Sequence, residues 1–195
     1  MKNLFVITVF LWLCSISTYS QWGGVNGGVG ASSLTNSKSY AKAMTAFHIG
    51  GLYDLKLSDK WYLQPEFQFV KIGFNLKDDG ILSKGGHVKI YAIELPVNIS
   101  FRPKVASDAK LLLDFGLYVR YGLFGNKTYE YYLIDKIDES PFDAYNRLGT
   151  GLNMGVGFQK KQYYWLLSLQ RELSYFQKNL NSYNQIPQFS IGYKF

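Results

Sequence analysis

The chain closes on Pro187-Gln-Phe-Ser-Ile-Gly-Tyr-Lys-Phe195, where Phe189, Ile191, Tyr193 and Phe195 alternate strictly with Gln188, Ser190, Gly192 and Lys194. A period of two puts one apolar and one polar face on a single strand. A strand whose oily face includes its last side chain needs an apolar medium outside it.

The amino end points the same way. Met1-Lys2-Asn3 is a short basic start, Leu4 to Cys14 is apolar, and small or polar residues follow through Ser20. That is the layout of a secretory signal peptide. It predicts removal of residues 1–20, with the cut after Ser20 and Gln21 as the mature start. An uncleaved anchor is the alternative, but its apolar core is short for a bilayer. Leu11-Trp-Leu-Cys14 is a poor lipoprotein box, because bulky Leu13 precedes the cysteine. Residues 21–195 then form one domain. Cys14 is lost with the leader, so the mature chain has no disulfide or thiolate site. His48 and His87 alone are a poor basis for zinc, and no cofactor is expected.

With 16 Tyr, 14 Phe, 4 Trp and 19 Gly against 18% charged residues, the composition suits a membrane barrel with aromatic girdles. No run beyond residue 20 could be a transmembrane helix. A spanning chain must therefore use strands closed on themselves, since nothing else satisfies its backbone in lipid. The net charge of +7, or +6 without Lys2, comes with no long Lys/Arg cluster. Together with export, this argues against nucleic acid and for basic loops beside anionic lipid head groups.

Eight segments alternate, within 23–33, 43–54, 61–73, 93–101, 111–121, 147–158, 163–170 and 187–195. The fourth is the clearest: Ile93, Leu95, Val97, Ile99 and Phe101 oppose Glu94, Pro96, Asn98 and Ser100. Just before it, Val88 to Ile90 run in the opposite parity, which suggests a bulge or a stretch above the bilayer. Pro65 and Pro187 fall inside predicted strands, where they cannot donate to a ladder. Connections after the second, fourth and sixth strands are brief and those after the third, fifth and seventh longer, the longest being 122–146. Short periplasmic turns with longer extracellular loops is the outer-membrane arrangement. The predicted fold is all-β: an eight-stranded antiparallel up-and-down transmembrane β-barrel.

Alternation alone does not say which face is inside, since a soluble eight-stranded barrel has oil inside. Here the polar face is Gly, Ser, Asn and Gln with scattered charge, a poor water-facing surface. Gly149, Gly151, Gly155 and Gly157 suit a crowded interior. Trp61, Tyr62, Tyr163, Tyr164, Trp165 and Phe195 fall near the short-turn rim, and Phe74, Tyr121 and Tyr145 towards the other, as two girdles would.

Four stretches carry a family resemblance: Glu94-Leu-Pro96, Asp114-Phe-Gly-Leu-Tyr118, Gly149-Thr-Gly-Leu-Asn-Met-Gly-Val-Gly157 and Ile191-Gly-Tyr-Lys-Phe195. Together they make nearly the whole mature chain resemble the PorT-type, porin-family small outer-membrane barrels of Gram-negative bacteria. The resemblance implies an outer-membrane location, and a role beside components of a protein secretion complex.

The inward set contains Glu66, Glu94, Asp114, Arg120, Arg147 and His48. Buried charges in so narrow a barrel must pair, so the set reads as a lumenal polar network that fixes register. His48 could serve a barrel enzyme only with Ser32 or Asp54 in triad geometry. The segment 127–143, with Tyr129, Tyr131, Tyr132, Asp135, Asp138 and Glu139, fits no calcium-loop spacing. It reads as a loop meeting lipopolysaccharide or a protein. Phe189, Ile191, Tyr193 and Phe195 resemble the signal read by the outer-membrane assembly machinery. The expected function is a non-enzymatic barrel with a structural or binding role, or an accessory of secretion. A passive pore and a small enzyme acting on lipid are the alternatives.

Overall fold

The computed structural model describes residues 22–35, 41–78, 83–131, 137–174, 176 and 182–195. The leader and the cut after Ser20 lie outside the described residues, as do Tyr132 and Asp135. The strands are β1 (Trp22–Leu34), β2 (Ala41–Lys56), β3 (Trp61–Leu76), β4 (Ser83–Phe101), β5 (Lys104–Ala106), β6 (Ala109–Tyr131), β7 (Ile137–Glu139), β8 (Leu148–Lys160), β9 (Tyr163–Glu172) and β10 (Asn184–Lys194). Eight of them close a barrel in the order β1-β2-β3-β4-β6-β8-β9-β10, every pair antiparallel. The closing seam pairs β10 with β1, Lys194 opposite Gly24 and Phe189 opposite Val29. The other two strands are additions to β6: β5 in the periplasmic turn at its start, β7 beside its extracellular end.

Polarity along the strands shows that the barrel is inside out relative to a soluble one. Ile49 is 63% exposed and Leu117 59%, whereas Glu94 and Ser100 are completely buried. Burying charge while exposing aliphatic side chains is stable only if the outside is hydrocarbon. Pro65 and Pro187 sit within the ladder opposite Val97 and Leu169.

The faces do not keep one polarity from rim to rim. In β3 the inward residues change from Gln64, Glu66 and Gln68 to Val70, Ile72 and Phe74, while the outward ones change from Phe67 and Phe69 to Lys71 and Asn75. In β4 the inward series runs Ser100, Asn98, Glu94, then Ala92, Ile90 and Val88. Val88 to Ile90 therefore mark no bulge in β4 and are instead the stretch above the bilayer. That strand pairs with β3 without a break, Ile90 opposite Ile72 and Ala92 opposite Val70. The irregularity belongs to β6, where Leu123 is the extra residue between Gly122 and Phe124 in the pairing with β4. Above that level the wall stands in water, and the usual arrangement returns: Phe74, Val88, Ile90, Tyr145, Phe176 and Ile186 form an apolar core inside the barrel's extracellular third.

This inversion corrects the upper girdle. Phe74 and Tyr145 belong to the interior and meet edge to face at 5.8 Å; of the three aromatics assigned to that rim, only Tyr121 faces out. The outer band there is instead a stack of Phe69, Tyr91 and Phe124, with centroids 6.0 and 5.0 Å apart. At the periplasmic edge Trp61 packs on Phe101 at 4.8 Å and Tyr163 on Tyr193 at 5.1 Å, but Tyr164 is turned into the lumen. Tyr91 to Phe101 makes one β4 crossing of eleven residues, which matches about 9–11 tilted residues per bilayer.

Candidate functional site

The lumen below the apolar core is filled by hydrogen-bonded side chains in three layers. Nearest the periplasm, Asp54 (β2) accepts Arg102 Nη1 at 2.5 Å, Arg102 Nη2 at 2.8 Å and Lys194 Nζ at 2.6 Å. Arg102 also donates to Gln64 Oε1 and to Ser100 Oγ, each at 2.8 Å, and Ser100 passes a hydrogen bond on to Asp114. In the middle layer Glu66 accepts Asn26 at 2.6 Å, Gln68 at 2.7 Å and Asn98 at 2.9 Å, while Asn153 donates to Asn98 at 2.6 Å. Above it, Glu94 accepts Arg120 Nε and Gln170 Nε2, both at 2.6 Å. Glu172 lies 3.8 Å from the same guanidinium.

Each buried charge thus faces a partner, the condition under which such charges can be kept out of water. The cavity left between the layers is about 20 Å³, room for roughly one water. With the apolar core above, the described side chains fill the lumen from the periplasmic layer to the extracellular third.

Glu66, Glu94, Asp114 and Arg120 all lie in this network; Arg147 does not. It precedes β8, is exposed, stacks 3.8 Å above the Phe142 ring and donates to the carbonyls of Gly122 and Leu123 at 3.2 Å. Arg147 thus holds the β6 backbone just ahead of β8, which begins at Leu148, instead of joining the hydrogen-bonded layers below.

His48 does face the lumen, with Nε2 3.3 Å from Ser190 Oγ. It reaches neither Ser32, which bonds Asn184 at 3.0 Å, nor Asp54, which Arg102 and Lys194 occupy. Gly28 lies between His48 and Ser190 on the paired strands. A methyl there would sit 2.9 Å from Ser190 Oγ and run into the imidazole, so glycine is required for this close approach. A histidine and serine so enclosed have no space beside them for a substrate.

Among the described residues of segment 127–143, residues 127–131 and 137–139 are strand rather than loop. Lys127 pairs with Glu139 at 3.3 Å and Thr128 donates to Asp138 at 2.5 Å, so these carboxylates serve the β6–β7 pairing. Partial burial works against the Lys127 charge, but bonds to Tyr129 and Glu139 outweigh it and leave its pKa raised. In the β2–β3 turn, the hydrogen bond from Lys56 at 2.9 Å holds Asp59 below its ordinary carboxylate range. Of the closing residues, Phe189, Ile191 and Phe195 face outward, and Tyr193 lies half-buried on the same face against Tyr163.

Sequence reasoning missed Arg102, Lys194, Gln170 and Glu172 as members of the network. Lys194 and Gln170 share the inward parity of Ser190 and Ser168 and could have been found by extending it. Arg102 looked like a turn residue.

Solved structures of small outer-membrane barrels resemble this chain in fold. Neisserial surface protein A superposes with a TM-score of 0.53 at 10% identity, covering 91% of this chain and 100% of that one. OprG from Pseudomonas aeruginosa gives 0.51 at 11%, covering 90% and 96%. Ail, the attachment invasion locus protein of Yersinia pestis, gives 0.50 at 16%, covering 91% and 100%. At such identities the likeness is one of fold. No curated protein matches the sequence. The family described as "Outer membrane protein beta-barrel domain" matches residues 18–182. An inside-out eight-stranded barrel and a family match over most of its length lead to one conclusion: this chain belongs to the outer membrane protein beta-barrel domain family.

Proposed function

We propose that this protein is a non-enzymatic outer-membrane barrel that acts as a structural and binding element. The observation that carries this reading is the stoppered lumen, with a cavity of about 20 Å³ under an apolar cap. A conducting barrel needs a continuous aqueous path, and a barrel enzyme needs space beside its nucleophile. Binding then falls to the extracellular rim, where the β6–β7 extension stands above the membrane beside lipopolysaccharide and any protein partner. Purified protein in planar bilayers is expected to give no steady conductance; reproducible unitary currents would overturn the reading in favour of a pore.

A role as an accessory of protein secretion is the finer form of the proposal and rests on the PorT-type resemblance. Loss of exported proteins from the medium on deleting the gene would support it, and unchanged export would remove it. The leader reading predicts a mature amino terminus at Gln21, to be checked by mass spectrometry. The closing strand is proposed as the assembly signal: deleting Phe195 is expected to lower outer-membrane levels while leaving translocation to the periplasm intact.

A further inference from the structure

At the periplasmic mouth the barrel holds a cleft of about 400 Å³, within the range of small-ligand sites, about 300–1,000 Å³. Its floor is the buried Asp54–Arg102–Lys194 cluster. Asp54 takes one of the three ammonium protons of Lys194, whose Nζ also lies 5.2 Å from the centre of the Tyr164 ring. Around the rim stand Lys104, Lys110 and Lys161 against a single acid, Asp108. The mouth therefore carries an excess of positive charge that its own carboxylates do not neutralise. Tyr62 forms an aromatic wall, with Arg102 at 4.5 Å and Lys110 at 5.5 Å from its ring.

Two features separate this cleft from a surface scatter of lysines. The rim is fixed, since the Lys161 amide donates to the Asp108 carbonyl at 2.9 Å and the Lys194 amide to the Gln162 carbonyl at 2.8 Å. Lys161 holds a φ of 54°, a left-handed conformation that favours glycine, so a cation is kept at this turn despite its backbone. Gln159 also lines the cleft; its amide nitrogen bonds the Lys161 carbonyl, and its Oε1 is buried with no hydrogen-bond partner.

We infer that this mouth binds the carboxyl-terminal end of a periplasmic peptide. The cations take the carboxylate, Gln159 Oε1 accepts the amide N–H beside it, and the Tyr62 ring takes the side chain. A carboxylate adjacent to an N–H is what a peptide end offers, and capture of an anion by buried and rim cations is charge-assisted. A phospholipid head group from the inner leaflet is disfavoured: Arg102, Gln159 and Lys194 face the lumen mouth rather than the lipid side of the wall. The inference does not depend on what the extracellular rim contacts.

The test uses the mature barrel in detergent micelles, with N-acetyl-alanyl-alanine as the probe, followed by amide NMR shifts. Saturable shifts confined to residues 54, 62, 102–110, 159–162 and 194 are expected. The carboxyl-terminal amide of the same dipeptide and inorganic phosphate should each bind about tenfold or more weakly, having lost the charge-assisted contact or the N–H. Combining Lys104→Gln, Lys110→Gln and Lys161→Gly should weaken the acid similarly, and the glycine suits the turn, so folding is not at issue. Equal affinity for the amide or for phosphate, an unaffected variant, or the absence of saturable shifts would each overturn the assignment.

Discussion

Replacing Asp54 by Ala tests whether the lumen network carries the barrel's stability. Three hydrogen bonds converge on this carboxylate, two from Arg102 and one from Lys194, and all three side chains are about 3–4% exposed. Without it, one guanidinium and one ammonium stay buried side by side and lose their directly bonded carboxylate, with Asp114, reached through Ser100, as a nearby counter-charge. Removing one partner of a buried ion pair costs about 3–5 kcal/mol, mostly through the charge left behind. At about 3 kcal/mol per molar of urea, the upper end for a small domain, the midpoint of reversible unfolding in lipid vesicles should fall by roughly 1–2 M. Heat-modifiable gel migration would report the same loss as unfolding at lower temperature. The control is Asp59→Ala: this carboxylate is 94% exposed in its pair with Lys56, where an ion pair contributes little, and the midpoint should not move. If Asp54→Ala unfolds with the wild type, the network is not what holds the barrel shut, and its charges must be solvated by water.

Phe74→Ala removes a ring that is completely buried among Tyr145 and Phe176. It should cost about 3–5 kcal/mol, as aromatic truncations in packed cores do, read by the same urea midpoint. Leu117→Arg places a charge on the lipid face near mid-membrane and should cost about 2–4 kcal/mol. Thr45→Arg, outward and exposed on the upper wall, should be close to neutral. An equal penalty for these two arginines would mean that hydrocarbon reaches the extracellular rim. In an NMR titration, Asp59 should lose its proton below the ordinary carboxylate range because Lys56 stabilises the anion. A Lys56→Ala background should return it to normal.

The barrel was legible in the sequence because two-residue parity is a local property. Ile93 to Phe101 against Glu94 to Ser100 assigns faces without any knowledge of neighbours. Export and the spacing of connections then choose the medium. What failed had non-local causes. Arg147 carries the two-residue parity of β8 but lies just before that strand begins, at Leu148 opposite Tyr121. Lys194 meets Asp54 across 140 residues of chain, a contact that exists only once the seam has closed. Phe74 and Tyr145 were placed in a girdle because aromatic content near a strand end does not disclose the face it occupies.

The surroundings of the wall are not one medium along the whole strand. Hydrophobic burial has no preferred direction of its own; side chains partition according to what lies on each side of the wall. Where lipid is outside, Phe67 and Phe69 point out and Glu66 and Gln68 are enclosed; where water is outside, Lys71 points out and Ile72 and Phe74 are enclosed. One strand thus carries two opposite patterns joined at Phe69–Lys71, and the stacked Phe69, Tyr91 and Phe124 rings lie at that junction, as interfacial aromatics do. Such a junction fixes the barrel's depth, because a shift along the membrane normal would put Lys71 and Lys89 into hydrocarbon or Phe67 and Leu95 into water. The chain therefore encodes its position in the membrane in the same residues that encode its fold.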